Sequence, residues 1–336
     1  MNAIYINACE SYLPETRVSV ADAVAENLYD EKDASLDGYS SACIEHTFWP
    51  GDMAVMAAEK ALETAKYHAS GLSLLTYSAI HRHGHKLLWQ PAAFIQNAIG
   101  AHDAMAFSLI HGCNALMLSA GMAMDHCQLE QDRAALLVSS DRFEHSHFDR
   151  WRSDYGLIYG DAAVALVLSR QPGPFKIEYF AQKSAASLES MHRLDKPVEE
   201  TIEGLPQAHN VREAKKVYLE TNGKAQFEAT LSATLTQLRQ ELLSNTVLRE
   251  HMADWVVLPN VGKRVLASVY EPVFADLAIG DLWQAGQSIG HAGASDQFLG
   301  LSLLVQSGEL KPGHLILLVG AGAGFSCSVM LLSVQA

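Results

Sequence analysis

Several short runs in this sequence are apolar at nearly every position rather than at alternate positions. They are AALLVSS at 134–140, AAVALVLS at 162–169 and HLILLVGAG at 314–322. Runs of this kind are typical of strands that are covered on both faces. DMAVMAAEKALETAKYH at 52–68 carries its apolar residues at helical spacing. The sequence therefore predicts an α/β fold built around a buried sheet.

The same two patterns place the other elements. Further strands are expected at 72–80, 104–112, 255–259 and 325–333. Further helices are expected at 113–127, 230–244, 263–277 as far as its proline, and 295–310. The last of these helices has Ser295 as its expected N-cap, because serine favours that position. The polar segment 171–225 contains four prolines, which predicts an irregular connection.

The two halves of the chain echo each other. RAALLVSS leads across the glycine turn YGD (159–161) to AAVALVLS, and GHLILLVGA leads across GAG (322–324) to FSCSVMLLS. Internal similarity of this kind indicates a structural repeat. We predict two related lobes, residues 1–170 and 226–336, joined by the connection 171–225.

The charge balance narrows the classes of partner. There are 24 Lys and Arg residues against 38 Asp and Glu residues, a net charge of −14, which disfavours nucleic acid and anionic membranes. The sequence lacks a run of about 18 apolar residues. The segment MNAIYINACE also lacks the basic stretch and long apolar segment of a secretory leader. We expect a cytoplasmic protein without a membrane partner.

The cysteines point to one candidate nucleophile. The five cysteines are scattered and lack CxxC spacing, which argues against a disulfide framework and a zinc site. Cys113 lies where a predicted strand meets a predicted helix, and the positive end of a helix dipole favours a thiolate. The alternative for Cys113 is a buried structural cysteine. Cys127 and Cys327 lie inside apolar runs and are expected to be packing residues.

Two histidine segments invite a functional interpretation. SIGHAGASDQFLG places His291 among small residues, five positions before Asp296. His291 can be a core histidine near a helix cap or one half of a proton-handling pair. A second segment, HRHGHKLLW, has histidines at alternate positions, namely His81, His83 and His85. Carboxylates and cysteines are not regularly spaced with them, so we expect a solvated loop or a pocket wall rather than a metal site.

Six segments in order carry a resemblance to a known family. They are SYLPET (11–16), FSLIHGCNA (107–115), YGDAAVALVL (159–168), DWVVLPN (254–260), SIGHAGAS (288–295) and LLVGAGAGFSCSVMLL (317–332). Together they resemble the β-ketoacyl-acyl-carrier-protein synthase III-like branch of the thiolase-fold condensing enzymes, over almost the whole chain. The resemblance implies a thiolase-like fold of two pseudo-repeated α-β-α-β-α lobes. It also implies a nucleophilic Cys113 in the first lobe and a homodimer.

Two residue types are exchanged relative to the condensing enzymes. Those enzymes carry His after the Pro of the segment that matches WVVLP, and Asn after the Gly of the segment that matches SIG. The two side chains bind a malonyl carbonyl and promote its decarboxylation. Here Asn260 and His291 occupy these positions. The family's decarboxylative condensation therefore cannot be carried over intact to this chain.

The exchanged pattern resembles the acyltransferases of polyketide and other natural-product pathways. Those proteins use a Cys–His–Asp triad to pass an acyl group to a hydroxyl or an amine without forming a carbon–carbon bond. The resemblance implies a triad of Cys113, His291 and Asp296, in which the acid orients the imidazole. Asp296 begins the helix after the histidine loop, and the small residues of that loop allow it to bend back.

The resemblance also implies the remaining parts of the site. The donor is expected to be a thioester of an acyl carrier protein or of CoA, and the acceptor a small hydroxyl or amine compound, without a cofactor. The backbone N–H groups of Cys113 and Ala323 are expected to form the oxyanion hole. Phe148 and Trp151 are expected to line the acceptor site. Asn260 is expected either to donate to the acyl group or the acceptor, or to be structural.

An acidic carrier protein requires a basic docking patch on a chain with this charge. The candidates are Lys263, Arg264, Arg212, Lys215 and Lys216. Two other functions stay open on the sequence. One is a β-ketoacyl synthase III-type enzyme that forms carbon–carbon bonds, with Asn260 and His291 exchanging duties in space. The other is a non-catalytic homologue that binds an acyl carrier as a pathway partner.

Overall fold

The computed structural model describes residues 2–81, 88–130, 133–143, 148–192 and 211–336. Within them the strands are β1 (Tyr5–Tyr12), β2 (Arg17–Ser19), β3 (Ser41–Cys43), β4 (Leu72–Ser78), β5 (Met105–Leu109), β6 (Ala134–Asp141), β7 (Ala162–Ser169), β8 (Phe175–Ser184), β9 (Ala253–Val257), β10 (Ala278–Asp281), β11 (Leu315–Gly322) and β12 (Ser326–Val334). The α-helices are α1 (Val20–Ala25), α2 (Glu31–Asp37), α3 (Pro50–Ala65), α4 (Pro91–Ala98), α5 (Ala115–Leu129), α6 (Val211–Asn222), α7 (Lys224–Asn245), α8 (Lys263–Val265), α9 (Glu271–Phe274), α10 (Trp283–Gly286) and α11 (Asp296–Ser307).

The main sheet repeats one strand arrangement twice. In the described part of the chain its order is β10-β9-β11-β12-β8-β1-β7-β6-β4-β5. Counted outward from the centre, β1, β7, β6, β4 and β5 match β8, β12, β11, β9 and β10. In each half the three inner strands pair antiparallel and the three outer strands pair parallel. The two halves join where β1 pairs with β8.

Helices cover both faces of each half. Every residue of β4, β6 and β7 is buried, which explains why these strands are continuously apolar in sequence. On one face of the first half, α3 contributes Met53 and Ala57 to a core with these strands. On the corresponding face of the second half, α7 contributes Leu235 and Leu238 to a core with β11 and β12.

The helices α5 and α11 form a middle layer between the two halves. Leu116 of α5 and Phe298 of α11 share one core with Leu166 of β7 and with Leu318 of β11. The order of layers is therefore α-β-α-β-α, as the resemblance implies. This layer positions the site, because Cys113 lies just before α5 and Asp296 is the first residue of α11.

Two local predictions are wrong. The segment 171–225 is not simply irregular, because it contains β8 and α6. Its sequence FKIEYFAQKS alternates in burial as a half-exposed strand does, and Pro172 and Pro174 precede that strand. The helical path that begins at Lys263 continues past Pro272, since a π-helical turn at Leu266–Tyr270 widens the backbone there.

The N-cap position predicted at Ser295 is confirmed, although its side chain is used differently. Ser295 holds the cap position of α11, but its hydroxyl makes no capping hydrogen bond. It donates instead to the hydroxyl of Ser139, across 3.0 Å, and so ties the start of α11 to β6.

The described residues contain neither a membrane-spanning helix nor a cluster of metal ligands. Among them, no helix is long and apolar enough to cross a bilayer. The same residues contain no cluster of three or more His, Cys, Asp or Glu side chains suited to a metal ion.

Candidate active site

Cys113 lies in a tight turn between β5 and α5. The turn passes Gly112, which has a φ of +56°. A side chain at Gly112 would place its first carbon 2.8 Å from the backbone nitrogen of Ala323, so only glycine allows this close approach. The turn therefore brings the backbone of residue 323 against the peptide that precedes the cysteine, as an oxyanion hole made from both residues requires.

Cys113, His291 and Asp296 form a continuous hydrogen-bonded chain. His291 Nε2 lies 3.0 Å from Cys113 Sγ. His291 Nδ1 lies 2.5 Å from Asp296 Oδ2 on the other side of the ring. His291 and Asp296 are buried, whereas Cys113 is partly exposed. The structure thus brings together all three residues of the predicted triad.

Asp296 is held in place by two further donors. The backbone N–H of Ala292 donates to Asp296 Oδ1 across 2.8 Å. The backbone N–H of Asn260 donates to Asp296 Oδ2 across 2.7 Å. A carboxylate with these partners fixes the orientation of the imidazole and the tautomer that carries its proton on Nδ1.

The charge state of His291 follows from its neighbours. Burial lowers the pKa of His291 by desolvating the imidazolium. The negative charges of Asp296 and of the Cys113 thiolate, with their hydrogen bonds, raise it further than burial lowers it. The pKa of His291 therefore lies well above its ordinary value. A raised pKa favours the form of His291 that can give a proton to a group that leaves.

The backbone at His291 forms hydrogen bonds with the backbone of residues 158–160, just before β7. The N–H of His291 donates to the carbonyl of Ile158 across 2.7 Å, and the N–H of Gly160 donates to the carbonyl of His291 across 3.0 Å. The ring of Tyr159 packs with its centroid 5.5 Å from that of His291. The YGD motif therefore positions the histidine, a role that its sequence did not indicate.

Cys113 and His291 open onto a cavity of about 620 Å³. Its wall is mainly apolar and aromatic. Phe148 lines this cavity and packs against Tyr159, with ring centroids 4.9 Å apart. Trp151, expected beside Phe148, does not line it. Trp151 is buried against Tyr29, with ring centroids 5.7 Å apart, because the turn after residue 148 directs it into a separate core.

Asn260 faces away from this cavity. Its side-chain amide donates to the carbonyl of Gly286 across 3.0 Å and also to the carbonyl of Gly290. Both amide hydrogens are therefore used inside the protein. Because these hydrogens are already paired, the contacts favour the structural alternative for Asn260.

The expected basic docking patch is largely neutralised. Arg264 pairs with Asp33 and Asp37, and Arg212 pairs with Asp33 as well. Lys215 pairs with Asp154. The acids that oppose these cations lie far away in sequence, so the sequence alone does not show that the cations are paired. Of the five candidates, Lys216 makes an exposed pair with Glu220, and Lys263 makes no ion pair with the described residues.

The other histidine candidates are His81, His83 and His85. His81 lines the cavity, and its ring centroid lies 4.9 Å from that of Phe148, so a pocket-wall role fits it. His83 and His85 lie outside the described residues. The charged pair Asp154 and Lys215 also lines the cavity and was missed as such, because only the fold brings α6 to this wall.

Residues 243–334 match a family described as 3-oxoacyl-[acyl-carrier-protein (ACP)] synthase III C terminal. The β-ketoacyl-[acyl-carrier-protein] synthase III of Acaryochloris marina is 26% identical over 328 residues, which cover 96% of this chain and 94% of the relative. The corresponding enzyme of Blochmanniella pennsylvanica is 25% identical over 285 residues, which cover 83% of each chain.

Solved structures extend this likeness to the whole fold. ChlB3, described as an acyltransferase, is 28% identical and superposes with a TM-score of 0.91, covering 99% of this chain and 98% of that one. The priming β-ketosynthase of the R1128 polyketide pathway is 20% identical, with a TM-score of 0.80, covering 99% and 96%. The predicted thiolase-like fold is confirmed by these neighbours.

Proposed function

Because this chain belongs to the β-ketoacyl-acyl-carrier-protein synthase III-like family of the thiolase fold, we propose that it is an acyltransferase. Its donor is the thioester of an acyl carrier protein or of CoA, and an acyl carrier protein is part of the names of its curated relatives. The acyl group passes through Cys113 to a hydroxyl or an amine. The description of the R1128 synthase, which names a polyketide biosynthetic pathway, supports a place in a pathway of that kind.

One observation carries this proposal. The chain from Cys113 Sγ through both nitrogens of His291 to Asp296 is complete, and the side chain of Asn260 points elsewhere. The cavity therefore offers a thiolate and one orientated imidazole. These two groups suffice for acyl transfer.

The first half-reaction loads the enzyme. The Cys113 thiolate attacks the carbonyl carbon of the donor thioester, and a tetrahedral oxyanion forms. When the carbon–sulfur bond to the donor breaks, the His291 imidazolium gives its proton to the departing thiolate, which leaves as a thiol. An acyl-cysteine and a neutral imidazole remain.

The second half-reaction discharges the acyl group. Neutral His291 takes the proton of the acceptor hydroxyl or amine as the acceptor attacks the acyl-cysteine. Asp296 stabilises the imidazolium that results. Collapse of the tetrahedral intermediate releases an ester or an amide and restores the thiolate. Backbone N–H groups of Cys113 and Ala323 stabilise both oxyanions, and one such donor typically contributes a factor of about 10²–10³ in rate.

The alternative is carbon–carbon bond formation, as the names of the curated relatives suggest. In the resembled condensing enzymes, two side chains hold the malonyl carbonyl while carbon dioxide leaves. Here His291 alone of the two exchanged residues faces the cavity, because Asn260 is bound to Gly286 and Gly290. This contact pattern favours transfer over condensation.

The test separates the two half-reactions by intact-protein mass spectrometry. The wild-type protein, given butanoyl-N-acetylcysteamine, is expected to gain one butanoyl group. Cys113→Ala is expected to gain none, and the buried Cys327→Ala serves as the matched control that still loads. His291→Ala is expected to load and to discharge slowly to an alcohol or amine. Loss of carbon dioxide from a malonyl thioester with formation of a β-ketoacyl product would overturn the proposal.

A further inference from the structure

A charged pair in the cavity wall has no part in the proposed reaction. Lys215 Nζ lies 2.5 Å from Asp154 Oδ1, and the two side chains are 16% and 5% exposed. Both residues line the cavity that contains Cys113. A buried ion pair in a mainly apolar wall is costly to place there, and polar groups of this kind fix the orientation of ligands.

Asp154 is fully engaged by the protein. Its Oδ1 also accepts from the N–H of Tyr155 across 2.6 Å, and its Oδ2 accepts from the hydroxyl of Tyr159 across 3.1 Å. The carboxylate thus has protein donors on both oxygens. It holds the ammonium of Lys215 at a fixed place in the wall.

Lys215 is engaged on one side alone. Its ammonium has three N–H donors. The acceptor that the described residues offer it is Asp154 Oδ1 and no other. Lys215 is part-buried and lines the cavity, so the donors that Asp154 does not use border the space that a ligand fills. A ligand that enters the cavity is the natural source of the missing acceptor.

We propose that Lys215 binds a carbonyl, hydroxyl or carboxylate oxygen of the substrate. This inference rests on the acyl transfer proposed above. Tyr159 connects the pair to the reacting groups, since its ring packs on His291 and its hydroxyl bonds Asp154. One tyrosine side chain therefore separates the pair from the imidazole. That separation suits an oxygen on the transferred acyl group or on the acceptor.

The expected consequence is selectivity for oxygenated substrates. A substrate without the oxygen covers the N–H groups of Lys215 that face the cavity without pairing them. A hydrogen bond to a charged group of this kind typically changes a rate or an affinity about tenfold or more. Lys215 is therefore assigned as a specificity-determining residue, while Asp154 is the residue that positions it.

The variant for the test removes both charges together. Lys215→Met alone would leave the Asp154 carboxylate buried without its cation. The double variant D154N/K215M keeps the shapes of both side chains, and its thermal midpoint shows whether it folds. Lys216→Met is the matched control, because Lys216 lies on the same helix with a side chain that is 63% exposed.

The experiment has one arm for each source of the oxygen. The first compares loading of Cys113 from butanoyl- and 3-hydroxybutanoyl-N-acetylcysteamine. The second compares discharge of the butanoyl enzyme by hexylamine and by 6-amino-1-hexanol. The preference for the oxygenated compound is expected to fall about tenfold or more in one arm for D154N/K215M and to be unchanged for K216M. The arm that responds identifies the substrate that carries the oxygen.

Unchanged preferences in both arms, in a folded double variant that loads butanoyl groups at the wild-type rate, would overturn the proposal. Failure of the wild-type protein to load at all is a failure of the proposed function instead. In that case, calorimetric binding of S-butyl- and S-(3-hydroxybutyl)-N-acetylcysteamine, which cannot acylate the protein, still decides the question. Equal affinity ratios for the wild type and D154N/K215M, both for this pair and for hexylamine against 6-amino-1-hexanol, would then reject the role of Lys215.

Discussion

The backbone N–H of Asn260 donates to Asp296 Oδ2 across 2.7 Å, on the same oxygen that binds His291. The side chain of Asn260 binds the loop that carries His291, through the carbonyls of Gly286 and Gly290. A position that holds a catalytic histidine in the resembled condensing enzymes is therefore a support for the triad in this chain.

Asp296→Asn is expected to slow discharge of the acyl enzyme by about 10²–10⁴-fold, because an amide neither fixes the Nδ1–H tautomer nor stabilises the imidazolium. Loading of Cys113 is expected to be reduced far less. Single-turnover mass spectrometry of both steps measures the two rates. Asp125→Asn, an exposed change on α5, is the control, and equal slowing of both steps would contradict this role for Asp296.

Asn260→His is expected not to create a condensing enzyme. The side chain at this position points towards the carbonyls at 286 and 290, so the new imidazole does not reach the cavity. Loss of those hydrogen bonds is expected to lower the free energy of unfolding by about 1–3 kcal/mol. Decarboxylation of a malonyl thioester and the thermal midpoint are the two measurements. Release of carbon dioxide by N260H would show that the residues can exchange duties.

The sequence predicts the parts of this molecule that depend on local pattern. The buried strands β6 and β7, and the junction at Cys113, follow from apolar runs and from a change of period. The α-β-α-β-α order and the triad needed the family resemblance, since nothing local indicates that residue 291 meets residue 113. The neutralised cations are the clearest failure. Arg264 forms an ion pair with Asp33, which lies 231 positions away in sequence. A count of charges along the sequence does not predict such a partner.

Iodoacetamide is expected to alkylate Cys113 first at neutral pH. Cys113 is the partly exposed cysteine of the five, and its Sγ lies 3.0 Å from His291 Nε2. Burial raises the pKa of Cys43 and Cys127 to about 11 and that of Cys327 to about 12, so these thiols stay protonated and covered. Peptide mapping after brief labelling measures the order. Prior loading with a butanoyl group should protect Cys113, and faster labelling of a buried cysteine would refute the assignment.

The edge strand β5 is expected to form the interface of a homodimer. Met105 on this strand is 56% exposed, and Ile110, just after it, is 65% exposed. An apolar, unpaired strand edge favours pairing with another chain. Ile110→Lys is expected to shift the mass measured by light scattering from dimer to monomer. Ile279→Lys, on the opposite edge strand β10 and 75% exposed, is expected to leave the dimer intact. A monomeric wild type would reject this interface.

Asp141 is expected to make stability depend on pH. Burial raises the pKa of the Asp141 carboxyl. Hydrogen bonds from the N–H groups of Ile80 and His81 and the charge of His291 lower it by less. The resulting pKa is about 7. Between pH values of about 4, the ordinary pKa of an aspartate, and about 7, the folded protein holds a proton that the unfolded chain releases. The free energy of unfolding therefore falls as the pH rises through that window, and this contribution is fully lost above it.

Asp141→Asn removes this titration while keeping the shape of the side chain. Urea unfolding of the wild type and of D141N at pH 5, 6, 7 and 8 measures the difference in slope, on the order of a few kcal/mol across the window. Asp125→Asn serves again as the exposed control and is expected to retain the wild-type slope. Parallel stability curves for D141N and the wild type would mean that Asp141 ionises normally, so that its N–H donors, rather than its burial, decide its charge.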